Sequence, residues 1–208
     1  MSWGTFGCSF TKFKWYTWAD FLKINVSKSK NYGLSGSSNE FICRQILKYG
    51  KKHNSIVVMW SGYDRIHNNY YLDEHGYNAG RHKDNDIPLT QLLERSLEYI
   101  WLANHYCKIN NIKIYNFSMT IPEIGETKKI ITMPDYLNIN HTNWPIDMTQ
   151  YCLDNPSNLS QQNHDGHPLP SQHYNYFKDI ISPNTGISVK EIPQQNLDDF
   201  DKKAVDTS

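Results

Sequence analysis

Residues 55 to 60 read Ser-Ile-Val-Val-Met-Trp, and this short stretch is the strongest indicator of the fold class. The run is almost wholly apolar, β-branched at its centre and bounded by polar segments. A strand with one face in water alternates apolar and polar residues, whereas a strand covered on both faces stays apolar along its length. Residues 55 to 60 are therefore predicted to be a buried strand of a parallel sheet.

The segments on either side of this strand alternate between strand patterns and helix patterns. Further strands are predicted at residues 3 to 6 and 112 to 119, with a short strand after the first helix. Helices are predicted at residues 15 to 24, from Ser37 or Ser38 to Tyr49, from Pro88 to about residue 108, and from Pro170 or Ser171 to a stop at Pro183. This order favours an α/β fold with a parallel sheet and helices on both faces.

The chain length favours a single domain. The 208 residues suffice for one domain with a sizeable core and are too few for two comfortable ones. We place the α/β domain at residues 1 to 182 and a polar tail at residues 183 to 208. Because a polar terminal segment is usually disordered unless a partner holds it, the tail is a candidate contact with another copy or another protein.

The composition argues against several classes of protein. Lys and Arg number 21, as do Asp and Glu, and this zero net charge argues against nucleic-acid binding. The first residues lack the features of a signal peptide, and no apolar run is long enough for a membrane span. We therefore expect synthesis in the cytoplasm and no membrane partner. Four widely spaced cysteines are expected to be mostly buried free thiols: Cys8, Cys43, Cys107 and Cys152.

Reactive side chains are predicted to collect at one edge of the sheet, where parallel strands end. The residues grouped by this rule are Ser9, Gly36, Ser61 to Arg65 and His167. Ser9 follows a strand and a glycine, where small neighbours permit a sharp turn. A proline stiffens the turn after His167, and Asp165 precedes that histidine by two residues. Acyl transfer from a serine requires such a nucleophile, base and acid.

Some of these residues also have a plain structural interpretation. Ser9 could be an ordinary turn residue, and Cys8 is more simply a small buried thiol than a nucleophile. His164, His167 and His173 do not share one helical face, so their spacing argues against a metal site. His173 is instead expected to pack in the last helix or to cap it.

Arg65 and the pair Tyr70 and Tyr71 each allow a structural and a functional interpretation. Arg65 could pair with Asp64 or Asp165 in a purely structural contact. Tyr70 and Tyr71 lie in a polar loop and are candidates for stacking on a sugar ring.

Four short motifs occur in an order and at a spacing typical of one enzyme group. They are Gly7-Cys8-Ser9-Phe10, Gly36-Ser37-Ser38-Asn39, Trp60-Ser61-Gly62-Tyr63-Asp64-Arg65 and Asp165-Gly166-His167-Pro168. Together they resemble the SGNH/GDSL hydrolase superfamily over residues 1 to about 181. The opening Gly-Cys-Ser-Phe-Thr and the third motif are similar to divergent members encoded by bacteriophages and other viruses.

The resemblance implies a three-layer, flavodoxin-like fold and hydrolysis of acyl or O-acetyl esters without a metal or organic cofactor. By position, it implies Ser9 as the nucleophile, His167 as the base and Asp165 as the acid that orients the base. The amides of Ser9 and Gly36 are implied donors to the oxyanion. The further residues assigned to oxyanion or substrate binding are Asn39, Ser61, Asp64 and Arg65.

Three positions depart from the family pattern. Cys8 replaces the acid of the usual Gly-Asp-Ser, which normally braces the nucleophile turn. Asp64 stands where an asparagine normally donates to the oxyanion, and an ionised carboxylate only accepts, so Ser61 or Arg65 would have to substitute. Asp165 lies two residues before the histidine instead of three.

These observations lead to a serine esterase acting on an ester-bearing small molecule or a carbohydrate, such as an O-acetylated surface polysaccharide. The alternative is a catalytically weak or inactive SGNH-like domain that is a structural or attachment component of a virus particle, with partner contacts through the tail. The altered first and third motifs favour that alternative. One distance separates the two hypotheses, because an esterase requires Ser9 Oγ within hydrogen-bond reach of a His167 ring nitrogen.

Overall fold

A four-stranded, all-parallel sheet forms the centre of the fold. It is seen in a computed structural model that describes residues 1–63, 65, 72–73, 76–77, 88–120, 145–160 and 166–207. The strands are β1 (Trp3–Gly7), β2 (Ser29–Asn31), β3 (Ser55–Trp60), a separate antiparallel pair β4 (Leu72–Asp73) and β5 (Gly76–Tyr77), and β6 (Lys113–Ser118). Within the large sheet the order is β2-β1-β3-β6.

Helices connect these strands and follow the last one. They are α1 (Trp18–Asn25), α2 (Asn39–Tyr49), α3 (Leu89–Ile109), α4 (Met148–Asp154), α5 (Pro170–Tyr176) and α6 (Gln194–Val205). The alternation of strands and helices predicted from the sequence is confirmed, and the fold class is α/β. None of the helices in the described ranges is both long and apolar enough to cross a membrane.

Strand β3 is covered on both faces, as its continuous apolar run predicted, and all six of its residues are buried. Its side chains alternate between two cores. Val57 and Met59 join the core that contains residues of α1 and α5. Ile56 and Val58 join the core that contains residues of α2 and α3. Helices therefore pack on both faces of the sheet. The carboxyl ends of the strands lead into loops.

The first two helices begin where polar side chains cap them. Helix α1 begins at Trp18, later than predicted, and the Thr17 amide donates to Asp20 Oδ2 at 2.9 Å. Of the two candidate caps for α2, Ser38 is the one used, since its hydroxyl accepts from the Phe41 amide at 3.3 Å. Both are the side-chain contacts expected at helix starts, where the first amides have no partner within the helix.

The helix that begins at Pro170 does not stop at Pro183, so that prediction is wrong. Helix α5 continues through a π-helical turn, Phe177–Ile181, and a final turn, Ser182–Thr185. In the π turn, the Ser182 amide bonds to the Phe177 carbonyl, five residues earlier. This wider turn accommodates a proline that an unbroken α-helix would exclude, because the ring would clash with a carbonyl one turn back. Gly186, with φ of 74°, ends the helix.

The segment predicted to be a polar tail contains helix α6, which packs on the domain through buried Leu197 and Ala204. A third buried residue of this helix, Asp201, is a carboxylate. It accepts hydrogen bonds from the amide and hydroxyl of Ser171, in the first turn of α5, and from the Ser157 hydroxyl at 3.1 Å. Helix α6 thus caps the helix that begins just after His167.

Replacing Asp201 with alanine is expected to lower the free energy of unfolding by about 3 kcal/mol, measured by urea denaturation. The loss follows because the Ser171 and Ser157 donors would lose their acceptor in a buried site. Asp199→Ala is the matched control, since Asp199 is exposed on the same helix, and we expect a change within about 0.5 kcal/mol. Equal effects of the two substitutions would contradict this role of Asp201.

Several residues singled out in the sequence lie outside the described part of the chain. They are Asp64, Tyr70, Tyr71, His164 and Asp165.

Candidate active site

The parallel pairing of β1 and β3 brings the first and third motifs to one edge of the sheet. Gly7, the last residue of β1, lies opposite Met59 near the end of β3. The turn that carries Ser9 and the loop that begins at Ser61 therefore leave the sheet side by side. This is the edge at which functional groups of open α/β sheets are found.

The turn around Ser9 is held by Thr11, which is fully buried. The Thr11 amide donates to the Cys8 carbonyl at 2.9 Å. The Thr11 carbonyl in turn accepts from Thr17 Oγ1 and from Asn31 Nδ2, both at 2.8 Å. Hydrogen bonds of Thr11 thus link the turn to Thr17, the residue just before helix α1, and to Asn31, the last residue of β2.

Ser9 and His167 are in direct contact. Ser9 Oγ lies 2.8 Å from His167 Nε2, although 158 residues separate them in the chain. The serine is 2% exposed and the histidine is partly buried. The distance required of a serine nucleophile and its base is therefore present. Since the ring nitrogen can accept the serine proton, the pair has the geometry for general-base activation of the hydroxyl.

Aromatic residues in and just after the Ser9 turn contact His167 or its neighbour Pro168. The ring of Phe13 stacks on it with centroids 4.1 Å apart and planes at 20°. Phe10 meets it edge-on at 5.7 Å. The Trp15 ring N–H donates to the Pro168 carbonyl at 3.0 Å and so fixes the backbone next to the histidine. These contacts help to fix the position of the His167 ring, whose Nε2 lies 2.8 Å from Ser9 Oγ.

The amides of Ser9 and Gly36 were the predicted donors to an oxyanion. The Leu34 amide donates to the Gly7 carbonyl at 3.0 Å, which holds the loop containing Gly36 beside the Ser9 turn. Gly36 has φ of 75°, a conformation that favours glycine. In the described part of the chain, nothing accepts a hydrogen bond from the Ser9 or Gly36 amide. Both amides are therefore unpaired within the described residues.

Asn39 joins the second motif to the third. Its side chain accepts from the Ser61 amide at 2.8 Å and donates to the Ser61 carbonyl at 3.2 Å. Asn39 is 1% exposed and Ser61 is fully buried. The geometry gives the carboxamide of Asn39 a bracing contact with the end of β3, whereas the sequence had assigned it to substrate binding.

Ser61 and Arg65 were the candidates to replace the missing asparagine of the third motif. The Ser61 hydroxyl and Arg65 Nη1 are both buried, and neither has a hydrogen-bond partner within the described residues. The Arg65 amide donates to the Gly62 carbonyl at 3.3 Å, which closes a turn after β3. A pairing of Arg65 with Asp64 or Asp165 involves residues outside the described part of the chain.

Cys8 is a small buried thiol, as predicted. It is fully buried, and its sulfur lies 3.8 Å from the sulfur of Met119. The other three cysteines are also free, and burial raises the pKa of each to about 12: Cys43, Cys107 and Cys152. A thiol with so high a pKa is a poor nucleophile at neutral pH, so these three cysteines serve packing.

His173 lies in helix α5 and packs in the protein interior, which is one of the two roles predicted for it. It is 1% exposed, and Phe10 meets its ring edge-on at 6.2 Å. Burial, and secondarily the nearby charge of His167, lowers the pKa of His173 to about 3. At neutral pH, His173 is therefore uncharged, and Phe10 contacts both its ring and the ring of His167. No cluster of three or more metal-ligating side chains occurs among the described residues.

Sequence reasoning did not find Phe13 or Thr11 as parts of the site. Both lie in the aromatic stretch after the first motif, but nothing in that stretch indicates which ring faces a histidine more than 150 residues away.

Comparisons with known proteins add no relative, since no protein-family model and no curated protein matches this chain.

Proposed function

We propose that this protein is a serine ester hydrolase of the SGNH/GDSL type. The single observation that carries the proposal is the 2.8 Å contact between Ser9 Oγ and His167 Nε2. The substrate class is an acyl or O-acetyl ester of a small molecule or a carbohydrate, and no cofactor takes part.

The proposed reaction begins when Ser9 Oγ attacks the ester carbonyl carbon and His167 Nε2 takes the hydroxyl proton. The amides of Ser9 and Gly36 donate to the oxygen that becomes negative. His167 then returns the proton to the leaving alcohol, and a water molecule hydrolyses the acyl group from Ser9 by the same steps. Asp165 is the acid proposed to orient His167, and Phe13 supports the ring from its face.

Two features of the fold support the family proposal. The order β2-β1-β3-β6 follows the start of the flavodoxin-like order, in which the second strand lies outside the first. The first motif follows β1, the second lies at the start of α2, and the third follows β3, as the resemblance requires. These features favour an SGNH-like domain, while the Ser9 to His167 contact favours a catalytic one.

Hydrolysis of p-nitrophenyl acetate by the wild type and by Ser9→Ala tests the proposal. We expect Ser9-dependent release of p-nitrophenol. We also expect a fluorophosphonate to label Ser9, seen as a mass increase that is absent in Ser9→Ala. Equal rates for both proteins, with no label on the wild type, would overturn the enzyme proposal and favour a structural SGNH-like domain.

A further inference from the structure

A cavity of about 270 Å³ opens directly beside His167. Its wall is largely apolar and includes Phe10, Cys152, Leu153, Pro156 and Pro168. Leu153 is 70% exposed, an unusual position for a large aliphatic side chain. The cavity therefore extends from His167, the candidate base, to the exposed side chain of Leu153 near the end of helix α4.

The polar side chains that the structure describes in this wall, apart from His167, already make hydrogen bonds within the protein. Thr149 Oγ1 donates to the Met119 carbonyl at 2.7 Å. Gln172 accepts from the Leu169 amide at 3.0 Å, and its amino group donates to two carbonyls at 3.4 Å. The Ser160 hydroxyl accepts from the Ser157 amide at 3.0 Å. A sugar ring needs several free polar partners, so this wall suits an apolar group better.

The position of the cavity indicates which half of an ester would enter it. During acyl transfer, the leaving alcohol takes its proton from the base, so the alcohol oxygen must lie next to His167 Nε2. Gly166, His167 and Pro168 themselves border the cavity. The carbonyl oxygen is directed instead to the amides of Ser9 and Gly36. A group attached to the alcohol oxygen is therefore the part of the substrate nearest to the cavity.

We propose that the cavity beside His167 binds the alcohol half of the substrate and selects esters of apolar alcohols. This inference rests on the serine esterase proposed above and specifies its substrate. The favoured substrates carry a small acyl group and an alkyl or aryl alcohol, and a polysaccharide O-acetyl ester is not the preferred class.

Two matched ester series test the assignment. In the first, acetate esters carry alcohols from methyl to hexyl, whose intrinsic reactivities differ little beyond ethyl. In the second, methyl esters carry acyl groups from acetyl to hexanoyl. In the first series we expect kcat/KM to rise about fourfold for each methylene beyond ethyl, since each buried methylene adds about 0.8 kcal/mol of binding. The second series is expected to show no such rise.

Leu153→Gln tests whether the rise originates in the cavity. We expect the ratio of kcat/KM for hexyl acetate to kcat/KM for methyl acetate to fall about fivefold, mainly through the KM for hexyl acetate. Ile109→Gln is the matched control, because Ile109 is 65% exposed at the end of α3, as Leu153 is near the end of α4, and does not line the cavity. That variant is expected to match the wild type on both esters.

The outcomes separate this inference from the proposed function. Ser9-dependent hydrolysis of p-nitrophenyl acetate with a flat alcohol series, or with the rise in the acyl series, would overturn only the cavity assignment. An unchanged alcohol series in Leu153→Gln would do the same. Absence of any Ser9-dependent hydrolysis would overturn the proposed function and this inference with it.

Discussion

Replacing His167 with alanine is expected to lower kcat/KM for p-nitrophenyl acetate by about 10³-fold at neutral pH. The substitution removes the imidazole nitrogen that lies 2.8 Å from Ser9 Oγ. In the proposed reaction this nitrogen accepts the serine proton and returns a proton to the leaving group. Steady-state rates under matched conditions measure the effect. The residual rate should come from the oxyanion amides and from binding alone.

A matched control separates loss of the base from general damage. His105 lies exposed on helix α3, where its ring stacks on Trp101 at 5.1 Å, outside the candidate site. His105→Ala is expected to retain wild-type kcat/KM. The thermal midpoint of His167→Ala should be compared as well, because Phe13 loses its stacking partner in that variant. A folded His167→Ala protein with the wild-type rate would contradict the assigned role.

Replacing Gly7 with alanine is expected to lower the free energy of unfolding by about 3 kcal/mol. A Cβ at this position would lie 2.0 Å from Thr11 Oγ1 and 2.7 Å from the Met59 carbonyl oxygen. The Met59 carbonyl belongs to the sheet and has little room to move, and Thr11 is the residue that braces the nucleophile turn. The added methyl group should therefore displace Ser9 and lower the proposed hydrolysis of p-nitrophenyl acetate together with stability.

Gly50→Ala is the matched control for the Gly7 substitution. A Cβ at Gly50 would meet its nearest neighbours at 3.5 Å or more, which is ordinary van der Waals contact. Its backbone is helical, with φ of −54°, so alanine is expected to leave stability unchanged or raise it slightly. Urea denaturation of both variants measures the difference. Equal stability of the two would show that the Ser9 turn is not tightly packed.

Cys8 lies in the first motif, at the position where the resemblance stated above implied an acid. In this protein the turn is stabilised by the hydrogen bonds of Thr11 with Thr17 and Asn31, and the thiol of Cys8 fills space against Met119. The departure in sequence therefore does not leave the serine unsupported. The support comes from the Thr11 backbone carbonyl, which accepts from two side-chain donors.

Much of the fold could be predicted from local sequence patterns. The apolar run of β3 predicted burial on both faces, and the alternation of elements predicted a parallel sheet. Helix α6 could not be predicted in this way, because its buried face consists of few apolar residues and one carboxylate, Asp201, whose partners lie at Ser157 and Ser171. Burial of a charge depends on distant hydrogen-bond donors, and no local pattern records them.

The sequence by itself predicted the layered arrangement and the grouping of Ser9 and His167 at one edge of the sheet. Both predictions follow from local patterns of apolar residues and from the order of strands and helices. Only the tertiary structure decided how those residues meet. The stacking of Phe13 on His167 and the hydrogen bonds of Asn39 to Ser61 join segments that are distant in sequence. Such contacts depend on distances and angles between packed elements, which are set by the folded core as a whole and not by any single stretch of residues.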